Sequence, residues 1–156
     1  LLCQSNNEGL FITAFEGVLD LVTGEFCFVN AGHEMPFIAK SGNAYEPYKL
    51  RPGFVLAGME GMKYQSGCIQ LSPGDKIFQY TDGVTEATNT ANELYGMERL
   101  TNILVQNTAK SPAELLPVVK ADIDAFVGEA PQFDDITMLC VTFVKAMDGG
   151  FTDYSS

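Results

Sequence analysis

At 156 residues the chain has the length of one domain, large enough to bury most of its apolar surface. Hydrophobic residues at 46% and charged residues at 19% describe a folded globular protein and exclude a disordered one. Lys and Arg number 9 against 20 Asp and Glu, and the net charge of -11 argues against nucleic acid or an anionic membrane as partner. A metal ion or a basic protein fits better, although surface acidity also serves solubility alone.

The four cysteines, Cys3, Cys27, Cys68 and Cys140, are far apart and form no Cys-x-x-Cys or Cys/His cluster, so a zinc site is not expected. Cys27 and Cys140 lie inside apolar runs and read as core residues of a protein from a reducing compartment. No stretch approaches the ~20 apolar residues of a membrane span, and the start lacks the basic-then-apolar pattern of a signal peptide. The expected location is therefore the cytoplasm.

In chain order, Leu1 to Gly9 reads as the last turn of a helix running into an Asn/Gly loop. Phe11 to Asp20 is predicted as a strand, closed by a turn at Thr23-Gly24, with Glu25 to Ala31 as its hairpin partner. Phe26 and Phe28 fall on one face of that second strand and Cys27 and Val29 on the other, a pattern expected of a strand covered on both sides. Phe37 to Lys40 continues the meander, and Ala44 to Leu50 returns after the Ser41-Gly42-Asn43 turn. The segment from Arg51 to Gly67, with Pro52, Gly53, Gly58 and Gly61 among scattered apolar residues, is predicted as loop. Cys68 to Leu71 and Lys76 to Thr81 are predicted as a hairpin around the turn Ser72-Pro73-Gly74-Asp75.

The periodicity then changes from two to 3.6. Met97, Leu100, Ile103 and Leu104 mark one face of a helix from Tyr95-Gly96 to Thr108. Ser111-Pro112-Ala113-Glu114 opens another, because a Ser cap, a Pro in the first turn and a Glu three residues on satisfy loose backbone donors together. Leu116, Val119, Ile123 and Phe126 continue it, Gly128 stops it, and Pro117 predicts a local distortion. Ile136 to Val144 is apolar on both faces and reads as a central strand, and the tail 146–156 reads as frayed.

The candidate chemistry lies where strands end. Asp82 follows the apolar run Lys76 to Thr81, and Asp134 and Asp135 precede Ile136 to Val144. If those strands are antiparallel neighbours, both acidic clusters arrive at one edge of the sheet. Adjacent carboxylates repel unless a cation neutralises them, and oxygen-only ligands select Mg²⁺ or Mn²⁺ over zinc. Separate turn residues are the plainer alternative on spacing alone. Gly83 permits a tight turn after Asp82, and Glu86 reads as a surface acid near the rim. His33, the single histidine, reads as a structural residue of its turn. Asp122 and Asp124 lack the glycine and terminal glutamate of a calcium loop and read as an exposed helix face. The chain has no Gly-x-Ser-x-Gly elbow for serine catalysis.

The strings FITAFEGVLDL, FVNAGHEMP, LSPGDKIFQYTDGVTEATN, ELYGMERL and APQFDDITMLCV, in that order, resemble the SpoIIE/RsbU-like branch of the PPM-type (type 2C) metal-dependent serine/threonine protein phosphatases. The resemblance runs from Gly9 to Phe143. It implies an α+β fold, an αββα sandwich of two antiparallel sheets flanked by helices. It also implies two Mn²⁺ or Mg²⁺ ions whose bound water attacks phosphoserine or phosphothreonine. Residue by residue, Asp82 matches one metal-ligand position and Asp134 another, with Gly83 and Asp135 in support. Relatives begin with a Gly-Gly-Asp-type strand and an Asp-Val-Ser-Gly-type turn that bring further acidic ligands. Neither occurs here, so 1–145 is expected to be the C-terminal part of the domain, inactive alone.

As partners the resemblance implies a phosphorylated regulatory protein, such as an anti-sigma-factor antagonist, and an upstream sensor domain in the parent. Sheet edges left unpaired by the missing strands raise the expectation of a homodimer. The alternative is a non-catalytic interaction module that keeps the phosphatase fold.

Overall fold

A computed structural model describes residues 10–49, 53–132 and 134–145. The expectations for Leu1 to Gly9 and its Cys3, for Leu50 to Pro52, for Phe133 and for the tail 146–156 lie outside the described residues.

The strands are β1 (Ala14–Leu19), β2 (Glu25–Ala31), β3 (Phe37–Ala39), β4 (Tyr45–Pro47), β5 (Ser66–Gln70), β6 (Lys76–Tyr80) and β7 (Met138–Thr142). Between β6 and β7 come the short α1 (Asp82–Thr85) and the longer α2 (Gly96–Gln106) and α3 (Pro112–Val127). The strands form two antiparallel sheets, one in the order β1-β2-β5 and one in the order β4-β3-β6-β7. This is the predicted class of two antiparallel sheets with helices.

The alternation of β6 explains how the layers are joined. Phe78 and Tyr80 point to one face, where they are buried with Leu100 and Leu104 of α2 and Leu115, Val119 and Ile123 of α3. Ile77 points to the other face and packs with Leu71 and Phe143, against Leu19, Phe26 and Ile69 of the three-stranded sheet. One strand thus serves two interfaces. The seam of α3 starts at Leu115 rather than the expected Leu116, because Leu115, Val119 and Ile123 follow the i, i+4 row that faces the sheet.

Helix α3 begins as its sequence predicts, with Glu114 Oε2 accepting from the Ser111 N–H at 2.9 Å and the Ser111 hydroxyl at 2.6 Å. Those two bonds hold the Glu114 carboxyl below its ordinary range. Pro117 does not end the helix. It lies on the exposed side with Ala113, whose carbonyl loses a helical partner where water can replace it.

Four expectations need correction. The segments around Ser72-Pro73-Gly74-Asp75 are not a hairpin: β5 pairs with β2, whereas β6 pairs with β3 and β7, so this turn carries the chain from one sheet to the other. Its anchor is the buried Asp75, which accepts from Ser72 N–H, Ser41 N–H and Lys40 Nζ at 2.7–2.9 Å. Second, β7 is an edge strand among the described residues, not a central one, and Leu139 and Val141 on its face away from the helices are exposed. Third, β2 is covered unevenly among the described residues: Phe28 and Ala31 are buried, but Cys27 and Val29 are only half-buried, and Val18, the β1 neighbour of Cys27, is 69% exposed. Among the described residues the helices pack on the other sheet. Fourth, Cys27 is not the free core thiol expected of a protein from a reducing compartment, because it is bonded to Cys68 directly across β2 and β5. Cys140 remains a buried thiol, pushed up by that burial.

Candidate functional site

β6 and β7 are antiparallel neighbours with Tyr80 opposite Met138, so the end of one strand lies beside the start of the other. That register brings Thr81-Asp82-Gly83 against Asp134-Asp135. The Thr81 N–H donates to the Thr137 carbonyl at 3.1 Å, and the Thr137 N–H returns to Thr81 Oγ1 at 3.0 Å. Thr81 Oγ1 also donates to the Asp135 carbonyl at 2.9 Å. One hydroxyl therefore ties the two acidic segments together. Sequence reasoning missed Thr81, and its only signal was its place directly before Asp82.

Gly83 completes the cradle. A Cβ at this position would meet the Asp135 carbonyl oxygen at 2.5 Å, backbone against backbone, so the close approach requires glycine. The conformational freedom foreseen for Gly83 matters less than the space it leaves.

Asp82 is the first residue of α1, and its carboxylate is exposed, with Oδ1 accepting from the Gly83 N–H at 3.0 Å. Asp134 is held in the same way, its Oδ1 accepting from the Asp135 N–H at 2.7 Å. Each carboxylate is oriented by the residue after it and, among the described residues, keeps its second oxygen free of any side-chain or backbone donor. Exposed oxygen donors with no histidine or thiol beside them suit a hard divalent cation. Two such carboxylates fit part of an octahedral shell and leave the rest to water or other acids. Among the described residues the one grouping of three possible ligands is elsewhere, at Glu25, Cys27 and Cys68, where the bridge occupies both sulfurs.

The other candidates have structural partners. His33 is tied into its turn: its backbone N–H donates to Asn30 Oδ1 at 2.8 Å and its carbonyl accepts from Asn30 Nδ2 at 2.9 Å, closing the turn after β2. Its Nδ1 lies 3.1 Å from Thr13 Oγ1. Asp122 is not on a free exposed face. It receives Arg99 through Nε and Nη2, both at 2.9 Å, and the Tyr95 hydroxyl at 2.7 Å, which locks α2 to α3. The Arg99 bonds hold the Asp122 carboxyl below its usual range. Asp124 pairs with Lys120 one turn earlier.

Beside the acidic edge, a cavity of about 90 Å³ opens between α1, the C-terminal end of α3 and the segment leading to β7. Asp134 and Gly83 form part of its wall.

Comparison with known proteins gives this arrangement a lineage. The chain is 33% identical over 138 residues to the protein IcfG of Synechocystis, covering 88% of this chain and 22% of that protein. It is 26% identical over 114 residues to the phosphoserine phosphatase RsbU of Bacillus subtilis, covering 72% and 33%. The chain therefore spans about a fifth to a third of these relatives. In fold it is similar to the manganese-presoaked phosphatase domain of the Bacillus subtilis cell-fate determinant SpoIIE, with a TM-score of 0.66 at 15% identity, covering 88% of this chain and 59% of that one. The sequence model of the family described as stage II sporulation protein E (SpoIIE) matches residues 1–144. With that match over nearly its whole length, the chain belongs to the SpoIIE family.

Proposed function

We propose that these residues form the C-terminal part of a PPM-type phosphatase domain that hydrolyses phosphoserine or phosphothreonine on a regulatory protein in the cytoplasm. The observation that carries the reading is the meeting of Asp82 and Asp134 at one sheet edge, across a contact only glycine permits. The phosphoserine phosphatase activity named for RsbU and the manganese-presoaked SpoIIE domain support the same chemistry.

In this reading Asp82 and Asp134 each offer a free carboxylate oxygen to Mn²⁺ or Mg²⁺, and residues beyond this stretch supply the remaining acids. Divalent ions, when bound, activate water and neutralise phosphoryl charge. The protein's share is orientation. The Gly83 and Asp135 amides fix the two carboxylates, and Thr81 holds the segments at a constant separation. Asp135 supports through its backbone on both sides. Among the described residues the free thiol, Cys140, is buried under the helices and is not offered to a phosphoryl group. A chain contributing two of the acids is expected to show little activity alone. The substrate is proposed to be a phosphorylated switch protein of the anti-sigma-factor-antagonist type.

The test uses the parent protein. Mn²⁺-dependent release of phosphate from a phosphoserine peptide should fall by at least about a hundredfold in Asp82→Asn and in Asp134→Asn. Activity that is unchanged in both variants, or that survives chelation, would remove the reading.

A further inference from the structure

The cavity beside the acidic edge has features that metal binding does not use. Its floor is apolar, formed by Ile123 and Val127 of α3 together with Ile136, and Pro131 closes one side. Thr88 lines it from the segment after α1. At the wall stand Glu86, which makes no ion pair among the described residues, and Asp124, which already holds Lys120. Apolar walls with acids beside them match a long aliphatic stem that ends in a cation. The size agrees, since about 90 Å³ admits one side chain and not a folded element.

We propose that this cavity is a substrate subsite that receives a lysine or arginine lying close to the phosphorylated residue of the protein substrate, with the stem on Val127 and Ile136 and the cation against the Glu86 carboxylate. The inference rests on the phosphatase reading, because it is Asp134, shared by the cavity wall and the acidic edge, that sets the basic residue next to the phosphate. Basic residues near the phosphoserine would also agree with the chain's net charge of -11. Glu86 is the specificity-determining residue in this proposal and takes no part in hydrolysis.

The experiment compares phosphoserine peptides on the full-length parent protein. Each carries lysine, its uncharged isostere norleucine, or alanine at one of the two positions on either side of the phosphoserine. Lysine at one position should raise kcat/KM about fivefold over norleucine, mainly through KM, with norleucine in turn above alanine. In Glu86→Gln the lysine-to-norleucine ratio should fall toward one. Glu86 is exposed, so its variant is expected to fold, and an unchanged circular dichroism spectrum checks this. Equal rates for all three peptides, or a lysine preference that survives Glu86→Gln, would overturn the subsite. Binding of the same peptides, read by fluorescence anisotropy with a chelator present, separates the two proposals. A lysine preference in binding without metal-dependent turnover would overturn the phosphatase reading and keep the subsite, and turnover without any preference would do the reverse.

Discussion

The two sheets use similar residues to different ends. In the four-stranded sheet, Phe37, Phe78 and Tyr80 are each 1% exposed or less, because α2 and α3 lie across that face. In the three-stranded sheet, Phe15, Phe26 and Phe28 stack on one another with centroids 5.4–6.3 Å apart, yet the opposite face leaves Val18 open and carries the Cys27–Cys68 bridge. The difference teaches that strand composition sets which faces can be buried, while the layer packed against them sets which are. The candidate site lies on the covered sheet. Its two acids extend from strands that the helices hold in place, which is where a constant carboxylate geometry is easiest to maintain.

The largest effect that tests the contrast is a matched pair of truncations. Phe78→Ala removes a fully buried ring between the sheet and both long helices and should cost about 3–5 kcal/mol. Val18→Thr on the open face should stay within about 0.5 kcal/mol. Urea denaturation of the 156-residue chain measures both. Equal losses would mean that the open face is covered by something in solution, and the comparison would fail.

How much of this was legible in the sequence follows the same division. Local signals were read well: the Thr23-Gly24 hairpin, the Ser111-Pro112 start and Gly128 stop of α3, and the meeting of Asp82 with Asp134 all depend on neighbours or on one antiparallel pairing. Sheet membership was not. Nothing in Ser72-Pro73-Gly74-Asp75 distinguishes a hairpin turn from a crossing between sheets, since both need the same tight backbone, and the deciding partners, Lys40 and Ser41, lie more than thirty residues away. Cys27 and Cys68 escaped for a related reason. Their contact depends on β2 pairing with β5 across 41 residues, a register that spacing alone does not contain. At the site, Asp82 and Asp134 carried a visible signal, whereas Thr81 and the steric role of Gly83 exist only once two backbones meet.

A second, smaller effect sharpens the comparison at the level of glycines. At Gly17 on the open sheet an added Cβ meets the Phe26 ring, the end of a side chain that can turn aside. At Gly83 it meets the Asp135 backbone, which cannot move without disturbing Thr81 and Asp134. Gly83→Ala should therefore cost about 1–3 kcal/mol, and Gly17→Ala clearly less. In the parent protein, Gly83→Ala should also raise the Mn²⁺ concentration needed for half-maximal phosphate release, and Gly17→Ala should not. If the two variants are equal in stability and metal demand, the tight contact at the acidic edge is not what holds it.

The smallest effect concerns Asp75, at the crossing between the two sheets. Burial alone would push its carboxyl up, but the Ser72 amide, the Lys40 ammonium and the Ser41 amide together outweigh that and hold it below the ordinary 3.8. A carboxyl whose folded pKa lies below its unfolded one stabilises fully above the unfolded value, and loses that stabilisation as pH falls through the folded value. Asp75→Asn should cost about 1–2 kcal/mol at neutral pH, because the amide cannot match the charge-assisted bond from Lys40. The gap between wild type and variant should hold steady down to about pH 4 and narrow below it. Urea midpoints collected every half pH unit measure this, and the variant subtracts the similar acid losses expected at Glu114 and Asp122. A gap that stays constant to the lowest pH would show that Asp75 anchors the crossing by shape rather than by charge, and the covered and open sheets would then be joined by packing alone.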